Sequence, residues 1–139
     1  MYIYYQPNPC GRSVGDCAVR AISAALDLEW NEAFDILAKF AKNMCDMPSS
    51  DQVWGAVLRA NGFYKNAIST YCHNCYTIEE FCKDIFNGMY PSGIYVLSIG
   101  GHVTTVIDGD IYDSWDTSKE TPVYYWYKPY MKGETNGHL

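Results

Sequence analysis

The sequence has little positive charge and no dense run of lysine or arginine. Of its 139 residues, 10 are lysine or arginine and 16 are aspartate or glutamate, which gives a formal net charge of −6. A protein that binds nucleic acid or an anionic membrane surface through phosphate groups needs concentrated positive charge. We therefore expect neither nucleic acid nor a membrane as its main partner.

Long apolar runs are also missing. No stretch approaches the roughly 20 apolar residues of a membrane-spanning helix. The opening residues MYIYYQ lack the basic and apolar segments of a secretory signal. We therefore expect a cytoplasmic protein with reduced thiols. Six cysteines are present, but in such a protein they need not form disulfides.

The residues that build a core are plentiful. Hydrophobic residues make up 48% of the sequence and aromatic residues 16%, so we expect an ordered chain rather than a disordered one. The length suits one domain with a real core. We predict that this domain covers residues 1–132 and that a mobile tail follows at residues 133–139.

Helical patterns fill the first two thirds of the sequence. Cys17 to Leu26 is strong helix material, with apolar residues at spacings of three and four. A second apolar stripe extends from Trp30 to Met44, and Ser50 is a good N-cap for a third helix. The pattern Thr77–Glu80 fits a capping box, and we expect the short helix that follows it to bury Phe86.

Strand patterns fill the last third. The segments 94–99 and 102–107 are rich in β-forming residues, and Asp108–Gly109 between 102–107 and 110–113 is a strong hairpin turn. A last strand covers residues 123–127. Helices followed by a strand meander predict an α+β fold.

One cysteine directly follows a predicted helix N-cap. Asp16 has a short side chain suited to accept a hydrogen bond from the first free N–H groups of the helix. Cys17 then lies in the first turn, where the helix dipole and unpaired N–H groups favour an anion. Such a position lowers the pKa of a thiol and populates the nucleophilic thiolate. The alternative is a small buried cysteine without a chemical role.

The predicted hairpin brings a histidine and a carboxylate together. If Asp108–Gly109 is a two-residue turn, His102 faces Trp115, and Asp113 lies on the same face of the sheet. If the loop is one residue longer, His102 faces Asp116. Either carboxylate would fix the imidazole tautomer and leave the other ring nitrogen as a base. The alternative is a histidine at a strand edge.

A cysteine, a histidine and a carboxylate in this chain order resemble the papain-like cysteine peptidases. Gly15-Asp16-Cys17-Ala18 is similar to the family's Gly-Ser-Cys-Trp, and Ile111-Tyr112-Asp113-Ser114-Trp115-Asp116 is similar to its Ile-Lys-Asn-Ser-Trp-Gly. The compact size is closer to the small members found in bacteria and phages. The resemblance implies a papain-like fold, with N-terminal helices packed on a C-terminal antiparallel sheet.

The same resemblance implies a thiol hydrolase that cleaves an amide or isopeptide bond in a peptide or protein substrate, without a cofactor. Cys17 would be the nucleophile, and His102 its ion-pair partner and later the general acid. Asp113 would orient the imidazole, and Trp115 would cover their hydrogen bond. Asp16 and Asp116 are expected to support this site.

An oxyanion hole is also implied, formed by the backbone N–H of Cys17 and a side-chain amide. The family carries a glutamine six residues before its cysteine, but that position is Gly11 in this chain. The loop offers Asn8 and Gln6 instead. We favour Asn8.

The motif Cys72–Cys75 offers a different site, because it contains two cysteines with His73 between them. A structural zinc site normally needs four ligands, and only Cys45 or Cys82 remains to complete one with His73. A thioredoxin-like redox role is disfavoured because no βαβ pattern surrounds the motif. We therefore expect no metal and interpret these residues as loop cysteines.

Two other functional classes stay open. One is a non-catalytic protein-binding domain on the same fold, for which the acidic surface and the 13 tyrosines are suited. The other is an acyl transferase or deamidase that uses the same cysteine, histidine and aspartate with a different acceptor.

Overall fold

The computed structural model describes residues 1–68 and 76–129. The predicted tail and the Cys72–Cys75 motif therefore lie outside the described residues. In chain order the elements are β1 (Tyr2–Tyr4), α1 (Cys17–Leu26), α2 (Trp30–Met44), α3 (Asp51–Ala60), β2 (Tyr64–Ala67), α4 (Ile78–Phe86), β3 (Gly93–Ser98), β4 (Val103–Ile107), β5 (Asp110–Asp113) and β6 (Tyr124–Pro129). This is an α+β fold, as predicted. Across the two described ranges, no helix has the length and apolar character needed to cross a membrane.

Six strands form one mixed sheet in the order β1-β5-β4-β3-β6-β2. The prediction of a purely antiparallel sheet is wrong, because β1 pairs with β5 in parallel, with Tyr2 opposite Ile111. The other four pairings are antiparallel. The consecutive hairpins β3–β4 and β4–β5 produce antiparallel neighbours, whereas β1 is separated from β5 by several helices. Such a long connection lets a strand enter the sheet in the same direction as its neighbour.

Helix α1 packs against β4 through small side chains. Eight of its ten residues are buried, and four of the eight are alanines: Ala18, Ala21, Ala24 and Ala25. The helix backbone also contacts the strand directly, since the hydroxyl of Thr105 donates a hydrogen bond of 3.0 Å to the carbonyl oxygen of Ala21. The start of α1, which carries Cys17, is therefore fixed relative to the start of β4, which follows His102.

Two cores lie on opposite faces of the sheet. Alternate strand residues, such as Val96 on one face and Tyr95 on the other, separate a core that includes α1 to α3 from one that includes α4. Helix α4 buries the stripe Ile78, Phe81, Cys82 and Ile85. Phe86 lies outside this stripe and is 86% exposed, so the prediction that it faces inward is wrong.

We expect Gly93→Ala to destabilise the sheet. Gly93 has φ of +154°, and a Cβ atom there would lie 2.7 Å from the carbonyl oxygen of Lys128 in β6. Because a paired backbone cannot move aside without loss of hydrogen bonds, the free energy of unfolding should fall by about 2–3 kcal/mol. Gly88→Ala is the matched control. It also has positive φ but no atom within 4 Å of the added Cβ, and it should lose only about 1 kcal/mol. Equal losses in urea unfolding would contradict the steric explanation.

Candidate active site

Cys17 is the first residue of α1, and its thiol is free and half-buried. The residue before it, Asp16, is the N-cap of α1, as predicted, but its side chain makes no capping hydrogen bond, so that part of the prediction is wrong. The buried carboxylate of Asp16 instead accepts hydrogen bonds from Arg20 Nη1 at 2.6 Å and from Trp30 Nε1 at 2.9 Å. A guanidinium compensates a buried negative charge better than a neutral backbone N–H group does.

His102 and Asp113 meet across the β4–β5 hairpin. Ile107 pairs with Asp110, so the connection is the two-residue turn Asp108–Gly109, with φ of +52° and +84°. In this register, Asp113 Oδ2 lies 2.8 Å from Nε2 of His102. Asp113 is fully buried, so water does not compete for this contact.

Trp115 and Asp116 follow directly in the chain but take different positions. The Trp115 ring contacts the His102 ring, with centroids 5.1 Å apart, and Trp115 remains 43% exposed. The Trp115 ring therefore lies against the imidazole, and its role in covering the hydrogen bond between His102 and Asp113 stays a prediction. Asp116 is exposed and accepts a hydrogen bond of 3.0 Å from the backbone N–H of Ser118. The longer loop that would place His102 opposite Asp116 does not form.

The surroundings of Cys17 and His102 favour a charged pair. Burial acts to raise the pKa of the Cys17 thiol, but hydrogen bonds from His102 and the Val103 backbone N–H, together with the charges of His102 and Arg20, outweigh it, so the pKa is lowered. Burial acts to lower the pKa of His102, but hydrogen bonds with Asp113 and Cys17 raise it to about 9. Both pKa changes act in the direction that favours a thiolate beside an imidazolium.

The carboxylate of Asp113, the third member of the site, stays ionised. Burial acts to raise the pKa of Asp113, but its hydrogen bond with His102 and the charges of His102 and Arg20 lower it. Because Nε2 of His102 is engaged by Asp113, Nδ1 is the ring nitrogen left for the Cys17 thiol. The carboxylate thus fixes which nitrogen exchanges a proton with sulfur.

Arg20 is a member of the site that the sequence analysis did not identify. The residue is 5% exposed, and its guanidinium donates from Nε to Asp113 Oδ1 at 2.9 Å as well as from Nη1 to Asp16. The available signal was its place in α1, where it is the one charged side chain among apolar and small residues. A charge on a buried helix face needs a partner, although the sequence does not say which.

The two candidate oxyanion-hole amides hold their own loop together. Gln6 Oε1 accepts a hydrogen bond from the Asn8 backbone N–H at 3.2 Å, and Asn8 Oδ1 accepts one from the Cys10 backbone N–H at 2.9 Å. Both bonds use the side-chain oxygen, so the amide NH₂ group of each residue is not part of them. Within residues 1–68 and 76–129, no side-chain hydrogen bond joins either amide to Cys17, and the choice between them stays a prediction.

In the part of the chain that the structure describes, no three histidine, cysteine, aspartate or glutamate side chains are grouped so that they could hold a metal ion. The predicted alternative at Cys72–Cys75 is not among those residues.

Comparisons with known proteins return nothing. A scan against protein-family models finds no match for this chain, and searches of curated proteins and of solved structures find none either.

We expect the stability lost in His102→Gln to depend on pH. Because the folded protein raises the pKa of His102 to about 9, the protonated imidazole stabilises the fold fully below about pH 6.5, its ordinary pKa. That contribution disappears as the pH rises to about 9. The loss in free energy of unfolding should therefore be about 1–3 kcal/mol larger at about pH 6 than at about pH 9.5. Urea unfolding at both pH values measures it, and a constant difference would contradict the raised pKa.

Proposed function

We propose that the chain is a papain-like cysteine-dependent hydrolase that cleaves an amide or isopeptide bond in a peptide or protein. The observation that carries this proposal is the 2.8 Å contact between His102 Nε2 and Asp113 Oδ2. It leaves Nδ1 of His102 for Cys17, whose lowered pKa supplies a nucleophile. The two segments that resemble the papain-like family, one around Cys17 and one around Asp113, both contribute to this site.

The first half of the reaction forms a thioester. The Cys17 thiolate attacks the carbonyl carbon, and the negative charge moves to the carbonyl oxygen. As the C–N bond breaks, the His102 imidazolium gives its Nδ1 proton to the leaving amine. The Cys17 backbone N–H, at the positive end of α1, and an amide of Asn8 or Gln6 stabilise the oxyanion.

The second half returns the enzyme to its starting state. Neutral His102 takes a proton from water, whose oxygen attacks the thioester carbon. The C–S bond then breaks, the acid is released, and the Cys17 thiolate is restored beside the imidazolium. Asp113 holds the imidazole in one orientation through both halves.

Selective alkylation of Cys17 tests the nucleophile. At about pH 7 we expect iodoacetamide to modify Cys17 about tenfold faster than the exposed Cys10, since the thiolate is the reactive form. Cys82 should react slowly because burial raises its pKa to about 11. In His102→Ala, the rate at Cys17 should fall to that of Cys10 or below. Mass spectrometry of the peptides reports each site separately.

Cys17 reacting no faster than Cys10 in the wild-type chain would overturn the proposal. The matched variant Cys10→Ser should leave the rate at Cys17 unchanged, which shows that the selectivity belongs to the site.

Turnover of quenched fluorescent peptides and isopeptide-linked peptides tests the reaction itself. Any hydrolysis should fall at least about 10³-fold in Cys17→Ala, because the thioester can no longer form. The rate should also decline above about pH 9, where His102 loses the proton that it gives to the leaving amine. Equal hydrolysis by Cys17→Ala would assign the activity to another group.

A further inference from the structure

Arg20 links two buried carboxylates that come from opposite ends of the chain. Arg20, Asp16 and Asp113 are each at most 5% exposed. One guanidinium nitrogen, Nη1, contacts Asp16 at 2.6 Å, and another, Nε, contacts Asp113 at 2.9 Å. Asp16 immediately precedes the proposed nucleophile, whereas Asp113 orients the proposed base. The guanidinium is planar, so both contacts are set by one rigid group.

The two oxygens of Asp113 have separate partners. Oδ1 accepts hydrogen bonds from Arg20 Nε and from the Ser114 backbone N–H at 2.7 Å. Oδ2 faces His102 Nε2. A carboxylate held at Oδ1 by two donors cannot rotate freely, so Oδ2 stays directed at the imidazole.

We propose that Arg20 is the positioning residue of this site: it fixes the rotation of the Asp113 carboxylate toward His102 and, through Asp16, ties that carboxylate to the turn before Cys17. This inference rests on the proposed function, for which the alignment of base and nucleophile matters. Trp30 completes the connection, since its indole N–H holds the second oxygen of Asp16.

A purely electrostatic role for Arg20 predicts the opposite behaviour of His102. A cation beside Asp113 weakens the attraction of that carboxylate for a protonated imidazole, so its removal would by charge alone strengthen protonation of His102. A positioning role predicts weaker protonation, because a carboxylate held at Oδ1 by the Ser114 N–H alone can turn away from the ring. The titratable and charged groups that bear on this contact are Cys17, Arg20 and Asp16 near the start of α1, Asp113 in β5 and Tyr2 in β1.

The test is an NMR titration of the His102 imidazole in the full chain. The Cys17→Ala background removes the coupled thiol, and loss of the signal in His102→Gln assigns it among the three histidines. The key variant is Asp16→Asn with Arg20→Gln, which deletes one negative and one positive charge and so preserves the net charge. We expect the pKa of His102 to fall by about one unit or more toward its ordinary value of about 6.5. An unchanged or higher pKa would overturn the proposal.

If the double variant does not fold, Arg20→Lys tests the positioning role instead. Lysine retains the charge but cannot hold two carboxylates with fixed, coplanar donors, so the pKa of His102 should fall by about half a unit. No change in a folded Arg20→Lys protein would overturn the positioning role. A structural role alone would lower the melting temperature without moving this pKa.

The positioning role of Arg20 and the proposed hydrolase function are tested by different measurements. The function fails if Cys17 of the wild-type chain alkylates like an ordinary exposed thiol, whereas the positioning role fails only if His102 does not respond to Arg20. In the thiol-containing protein, we expect Arg20→Lys to alkylate at Cys17 about threefold more slowly than wild type at about pH 6.5.

Discussion

The site depends on keeping one carboxylate, that of Asp113, away from water. An ionised carboxylate is costly to bury unless charged groups and donors surround it. The hairpin supplies His102, α1 supplies Arg20, and the chain itself supplies the Ser114 N–H group. The packing of α1 on the sheet and the geometry of the site therefore depend on each other, because the helix that packs on the sheet is also the one that brings Arg20 to the carboxylate.

Local patterns were enough to predict the elements nearest the site. The bounds of α1, Cys17–Leu26, follow from apolar spacing and a run of good helix formers. The strand Asp110–Asp113 and its register follow from Asp108–Gly109, because a two-residue turn with positive φ at both positions fixes which residues pair. These signals act over a few residues, so they do not depend on how the rest of the chain folds.

Contacts between distant segments could not be predicted in this way. The parallel pairing of β1 with β5 depends on the path of all the helices between them. Asp16 resembles an N-cap, and only the folded chain reveals that Arg20 competes successfully for its carboxylate. Arg20 was missed for the same reason. The periodicity of α1 shows that a charged side chain will be buried, but it does not show which groups will pair with that charge. The papain-like fold and the chemistry remain proposals.

The parallel pairing of β1 with β5 also affects the order in which the contacts of the folded protein form. Tyr2 and Ile111 are neighbours in the sheet although their positions in the sequence differ by 111 − 2 = 109. Contacts of such long range form slowly, because the entropy of closing a large loop is lost before the contact is gained. During synthesis, the first strand must wait for nearly the whole described chain before its neighbour exists. Cys17 is likewise synthesised well before His102 and Asp113. A truncated or stalled chain would thus carry the proposed nucleophile without the groups that would activate it.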